Sequence, residues 1–389
     1  MNHTLSPRRT IVTTFSSAIT CDSSYYDEGI YVHTAASNQT CNLLSCALSD
    51  QSIRVFDREK FEPTAIIRAH TATITDLCHV GDSLVVSSSD DGYVKLFDLR
   101  MAPSVTSTLD LKLPSREQAL SVSIAYGGTL AAVGSAKSKI HFYDLRMGKG
   151  DDHRIGCYVD AHTDEVTKVR FQTCFSSHDS SLLVSASEDG LACIHDTKQA
   201  TEENALISVM NIMAPIREVG FFGPSGEGLF CLTGNETMSV WHHDSAQRIF
   251  DYGSIRESLG LKCGFSIDYL VNCYWDHLNM TLNLVAGNSD GNGAMFRVDA
   301  NSISLSKRLF GGHKSCIRAT TLVPSEKYQQ NILYTVGEDA RLCEWFIDEQ
   351  QPMDRVEDRT SPDLSSNTEK LSTVGPIRKS KIRHTHKPY

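Results

Sequence analysis

Residues 185 to 196, SASEDGLACIHD, place Glu188, Asp189, Cys193, His195 and Asp196 within twelve positions. A thiol, an imidazole and three carboxylates at that density admit two chemistries: a metal cage, or a thiolate nucleophile with its base. A second stretch, with Cys21, Asp22, Asp27, Glu28, His33 and Cys41, would allow a hydrolytic site if the chain brought these residues together. A third, GNSDGNG, sets Asn288, Asp290, Asn292 and Gly293 at calcium-loop offsets. It has Asn at the first position and Asp299 where the loop needs its bidentate Glu.

None of the three carries a complete signature. The chain has no G-x-S-x-G, H-E-x-x-H or phosphate loop, and its 12 cysteines are scattered with no C-x-x-C. Cysteines so spaced read as small buried side chains in a reducing compartment. The expectation is no metal, no cofactor and no catalysis, with a hydrolase site in a central channel as the remotest alternative.

The elements that hold these residues repeat. A short apolar run, a polar turn with Asp, and an alternating strand with an aromatic six residues after that Asp recur along the chain. The best copies are VVSSSDDGYVKLFD (Asp91, Phe97), LVSASEDGLACIHD (Asp189, His195), LYTVGEDARLCEWF (Asp339, Trp345) and CALSDQSIRVFD (Asp50, Phe56). Looser copies end on Tyr143, Trp241 and Phe296, so the markers fall at 56, 97, 143, 195, 241, 296 and 345, spaced 41 to 55 residues apart. Seven units at that period predict an all-β, seven-bladed propeller over residues 10 to 348. A His preceded by Gly or Ala, at His70, His162 and His313, lies 21 to 27 residues before the turn Asp, the length of two strands and a turn.

That combination resembles the WD40 repeat family, in which the His, a strand hydroxyl, the turn Asp and the strand aromatic form a hydrogen-bonded tetrad. By position, the resemblance implies three tetrads: His70, Ser87, Asp91 and Phe97; His162, Ser185, Asp189 and His195; and His313, Thr335, Asp339 and Trp345. Phe97 cannot donate the indole hydrogen bond, and His195 can replace that donor. The segments DYLVNCYWDHLNMTLNLVAGNSDG and GGHKSCIRAT are not general to these repeats and point to a narrower WD-repeat subfamily. The resemblance also implies that the first strand completes the last blade, so residues 10 to 15 are expected to pair with the unit ending at Trp345.

Residues 349 to 389 are poor in large apolar side chains and are expected to form a disordered tail. Its end carries Arg378, Lys379, Lys381, Arg383 and Lys387 with no acid from 376 onward, which leaves −15 on the rest of a chain of net charge −10. An acidic propeller argues against nucleic acid as its ligand; the basic end suits a nuclear localisation signal, an RNA contact or a solvated tail. No run of 18 apolar residues and no apolar leader occur, so no membrane partner is expected and the location is nuclear, cytoplasmic or both.

The expected function is a non-enzymatic protein-interaction scaffold, monomeric within a complex, assembling a basic ribosomal or chromatin partner. The contact candidates are acids on one rim: Asp90, Glu188 and Glu338 beside the turn Asp residues, with Asp164 and Glu165 after His162. The alternative is a substrate receptor of a cullin-RING ubiquitin ligase. It rests on LFDLRMA (Asp98, Arg100) and FYDLRMG (Asp144, Arg146), which resemble the aromatic-Asp-x-Arg box of such receptors.

Overall fold

In the computed structural model the described residues are 4–13, 30–102, 105–147, 152–172, 181–325 and 330–347. The tail expected to be disordered, with its basic end, lies outside them, as do Cys21, Asp22, Asp27 and Glu28. The described strands form seven sheets, each with four consecutive antiparallel strands except the last, which borrows one from the N-terminus. The blades span residues 32–68, 74–112, 119–158, 166–211, 216–254, 269–309 and 317–346. Phe56, Phe97, Tyr143, His195, Trp241, Phe296 and Trp345 each lie on the third strand of their blade.

Alternation along the strands explains the packing. Each blade is buried on both faces, so its second strand reads as an almost unbroken apolar run, as in Leu182–Ser187 and Gly228–Thr233. The buried side chains sort into interblade clusters. Phe97 and Val85 meet Ile53 and Val55 between blades 1 and 2, and Trp345 and Leu333 meet Val285 and Met295 between blades 6 and 7. Innermost strands touch in sequence around the ring, Ile317–Ser325 of blade 7 meeting Val32–Ser37 of blade 1.

Closure uses the N-terminus. Arg9–Val12 pairs antiparallel with Arg341–Phe346, with Arg9 opposite Glu344 and Val12 opposite Arg341. The pairing begins one residue before the expected strand, and the expected residues 14 and 15 lie outside the described ones. The same segment also holds a contact that sequence periodicity does not predict: Thr4–Leu5 runs parallel to the outer strand of blade 6, with Leu5 opposite Leu309 and buried against Trp345 and Ile347. A two-residue strand has no period to detect, and Leu5 is its only apolar signal. Residues 4–12 thus span two blades.

One side chain secures that junction. Arg9 donates from Nε and Nη2 to Glu344 at 2.7 and 2.6 Å, and its remaining donors reach the carbonyls of Glu59 and Arg58 at 2.8 Å. The guanidinium also lies over the Phe61 ring at 4.6 Å. The Glu344 side chain is wholly buried and also accepts from the Tyr334 hydroxyl at 2.7 Å. Removing Arg9 leaves the buried carboxylate with only the Tyr334 hydroxyl and the more distant Arg8, at 3.9 Å, so Arg9→Ala is expected to cost about 3 kcal/mol in urea unfolding. Adding Glu344→Gln should recover part of the loss, because an amide costs less to bury unpaired than a charge.

Candidate interaction faces and the tetrads beneath them

Three blades contain the same polar clamp. In blade 2, His70 Nδ1 lies 3.0 Å from Asp91 and Nε2 lies 2.7 Å from Ser87 Oγ. Blade 4 repeats it with His162 to Asp189 at 3.2 Å and to Ser185 at 2.8 Å, and blade 7 with His313 to Asp339 at 3.0 Å and to Thr335 at 2.7 Å. Each Asp also receives two backbone amides, one from the His loop and one from the following strand: Thr71 and Tyr93, Thr163 and Leu191, Lys314 and Arg341. Burial would raise the Asp91 and Asp189 carboxyls, but these amides and the neighbouring His hold both below the ordinary range. Gly92 and Gly190 follow the turn Asp at φ +80, and blade 7 tolerates Ala340 there at φ +55.

The fourth tetrad member differs by blade. Trp345 Nε1 donates to Thr335 at 2.8 Å, His195 Nε2 lies 3.2 Å from Ser185 Oγ, and Phe97 makes no polar contact while packing in the same place. A carboxylate only accepts, so His162 Nδ1 carries the proton toward Asp189. Its Nε2 then accepts from the Ser185 hydroxyl, whose oxygen takes the His195 Nε2 proton. His195 Nδ1 is left buried without a partner, and burial, with His162 adding to it, pushes the His195 pKa down to about 3. Cys193 points at the Ala161 carbonyl, 3.6 Å away, and burial pushes its thiol up to about 12. His195 and Asp189 of the opening cluster are thus engaged, through Ser185 and His162, in a structural clamp, with Cys193 packed beside it.

Two polar networks lacked a readable signal. In blade 3, which has neither the loop His nor the turn Asp, buried Glu117 takes their place: Ser135 donates to it at 3.1 Å and His141 Nε2 lies 3.1 Å away. Inside the ring, buried Asp76 receives Ser121 Oγ at 2.6 Å and Arg170 Nη1 at 2.7 Å, with Lys168 and Glu218 beside them. Asp76, Lys168, Arg170 and Glu218, from blades 2, 4 and 5, face a cavity of about 190 Å³. Burial opposes ionisation of Asp76, but Arg170 and Lys168 outweigh it and hold the carboxyl far below its ordinary value. The hint in the sequence is the presence of charged residues in the inner strands of blades 2, 4 and 5.

The rim above the tetrads is acidic on one side. Asp164, Glu165 and Glu188 are exposed and Asp90 is half-buried. The Glu188 amide donates to the Glu165 carbonyl at 3.0 Å, which ties the hairpin of blade 4 to its His loop. Burial together with Asp164 and Glu165 raises the Glu188 pKa, and burial together with Asp91 and Glu165 raises that of Asp90. Glu165 therefore lies within Coulombic range of both. Glu338 is different: Arg318 donates to it from Nε at 2.9 Å, and Ser315 donates as well at 3.1 Å. On the opposite rim, Arg100 grips Asp98 at 2.5 Å and Arg146 grips Asp144 at 2.6 Å, their side chains 73% and 70% exposed.

Comparison with known proteins agrees with this architecture. Residues 61–98 and 155–196 match the model for the WD domain, G-beta repeat, each match beginning on or beside the outer strand of one blade and ending on the third strand of the next. The chain is 29% identical over 308 residues to WD repeat-containing protein 89 homolog of Dictyostelium discoideum, covering 79% of this chain and 80% of that one. It is 27% identical to WD repeat-containing protein GTS1 of Arabidopsis thaliana, covering 89% and 86%. A chain in the crystal structure of the mitotic checkpoint complex superposes with a TM-score of 0.65 at 16% identity, over 90% of this chain and 93% of that one. The protein is a seven-bladed propeller, with WD-repeat matches in those two segments and similarity to WD repeat-containing proteins over most of its length.

The buried His195 sets a pH dependence of known sign. Its folded pKa of about 3 lies below the unfolded value near 6.5, so its contribution is complete above pH 6.5 and is lost progressively as the pH falls toward 3. His70 and His162, also lowered chiefly by burial, act in the same direction. In His195→Phe, which copies the Phe97 arrangement, the stability slope between pH 6 and 4 should fall by up to about 1.4 kcal/mol per pH unit, measured by denaturant midpoints.

Proposed function

We propose that the protein is a non-enzymatic assembly platform whose acidic upper rim receives a basic segment of a ribosomal or chromatin protein. The observation that carries this reading is the cluster of Asp90, Asp164, Glu165 and Glu188. Burial and the neighbouring carboxylates raise Asp90 and Glu188 against their own ionisation, and a cation between them relieves the repulsive part. The rigid tetrads below hold these acids in place without being consumed by them. Glu338 is better read as a structural partner of Arg318. A nuclear or shuttling location, with the basic end of the tail as its signal, belongs to the same reading.

A second reading rests on the repeated Asp98–Arg100 and Asp144–Arg146 forks. In each, Asp holds the Nε edge of an exposed guanidinium, which pre-orders Arg100 and Arg146 for a partner such as a ligase adaptor.

The two readings separate by mutation. Reversing Asp90, Asp164, Glu165 and Glu188 to Lys should weaken capture of a co-purifying basic partner by at least about tenfold and flatten its salt dependence. Unchanged recovery would exclude the acidic rim. Arg100→Ala with Arg146→Ala should leave that partner bound and abolish any adaptor pull-down; no adaptor capture by the wild-type chain would exclude the second reading.

A further inference from the structure

The lower face holds a groove unlike the acidic rim. It lies where blades 6, 7 and 1 meet at the lower mouth of the central channel, has a volume of about 1050 Å³ and is lined by Trp275, Leu278, Leu322, Pro324, Thr320 and Arg58, among others. That volume accommodates several side chains of a peptide. Leu278 is 61% exposed at its lip and Met280, two residues on in the same turn, is 49% exposed, both large apolar groups in a hairpin that solvent alone would favour as polar.

Its charge and its hydrogen bonding point the same way. Arg58 is the one Lys, Arg, Asp or Glu among the described lining residues, in a chain of net charge −10. Its only side-chain partner here is the Pro324 carbonyl at 3.4 Å, and it has no carboxylate partner among the described residues. The neighbouring carboxylates are engaged elsewhere. Asp276 takes the Leu278 and Asn279 amides and the Asn279 and Asn331 side chains at 2.6 to 3.1 Å, while Asp82 takes the Thr40 amide at 2.9 Å. Two buried groups of the lining lack partners among the described residues: the hydroxyl of Thr320, a residue 8% exposed, and the Trp275 indole N–H. Unmade hydrogen bonds in buried groups are costly, and both groups here donate.

We propose that this groove docks an acidic segment of a partner protein, an apolar anchor side chain seated against Trp275 and Leu278 with flanking carboxylates on Arg58. Carboxylate oxygens of the segment supply acceptors to the guanidinium. A basic segment would meet Arg58 on a lining that offers it no carboxylate among the described residues. The site is independent of the upper rim, so the propeller presents faces of opposite preference.

The test is selection of a phage-displayed random dodecamer library on the full chain, with counter-selection on Arg58→Glu/Leu278→Asp. Clones held by wild type and lost on the double variant should be rich in Asp and Glu with Leu, Phe or Trp, and poor in Lys and Arg. A synthetic peptide of the leading clone should perturb the tryptophan fluorescence, since Trp275 lines the groove while Trp241 and Trp345 are buried. Its affinity should drop by at least about tenfold in Arg58→Glu, by a similar factor in Leu278→Asp, and not in the upper-rim reversal. Arg58→Gln, with the thermal midpoint checked for every variant, keeps the test valid if Arg58→Glu unfolds. Absence of clones specific to wild type, clones of net positive charge among them, or affinity that follows the upper rim instead of Arg58 would each overturn the proposal.

Discussion

Every blade depends on the ring being closed. A four-stranded sheet with both faces apolar is soluble only when neighbours cover both faces, and seven such sheets satisfy this only if the last meets the first. Here the final sheet is completed by Arg9–Val12, and the last interface buries Leu44, Phe56, Tyr334 and Leu342 together. Hydrogen bonds across residues more than 300 apart in sequence thus license every local contact. The Arg9–Glu344 pair places a charge inside that seam, which adds direction: a buried carboxylate accepts no register that fails to bring a guanidinium to it.

Within the closed ring, the tetrads are local fasteners. Each joins the loop before a blade to the hairpin between its second and third strands, two segments that would otherwise be held only by backbone pairing. Their variation follows from what each position must do. The His, hydroxyl and Asp make a chain of donors and acceptors and are kept together in three blades, whereas the aromatic position needs bulk first and a donor second. Phe97, His195 and Trp345 all meet the first need. Blade 3 shows that the fastening can be rebuilt from other groups, with Glu117 taking the role of the anion.

The two faces inherit different chemistry from this arrangement. The upper rim is formed by tight turns in which a second acid stands next to the tetrad Asp, so negative charge gathers there as a by-product of the repeat. The lower rim is formed by hairpins outside the repeat signature, free to carry Arg100, Arg146, Arg58 and exposed Leu278. The two sides therefore differ in the groups they present: clustered carboxylates above, and Asp-paired guanidinium groups with an apolar groove below.

Local, repeated information was legible in the chain itself. The seven third strands and the His-to-Asp spacing follow from period and residue type, because each lies within one repeat, whereas the substitution of His195 for an indole donor and the use of the first strand for closure are what the resemblance to WD40 repeats implied. The reading of Cys193 as a buried thiol also came from its place two residues before His195. What the sequence could not show are contacts between different repeats. Thr4–Leu5 on blade 6, the Asp76–Arg170 pair 94 residues apart and the groove around Trp275 were decided only by folding. The physical reason is that periodicity sets the backbone of each blade, while these side chains meet only once closure fixes the rotation of one blade against the next.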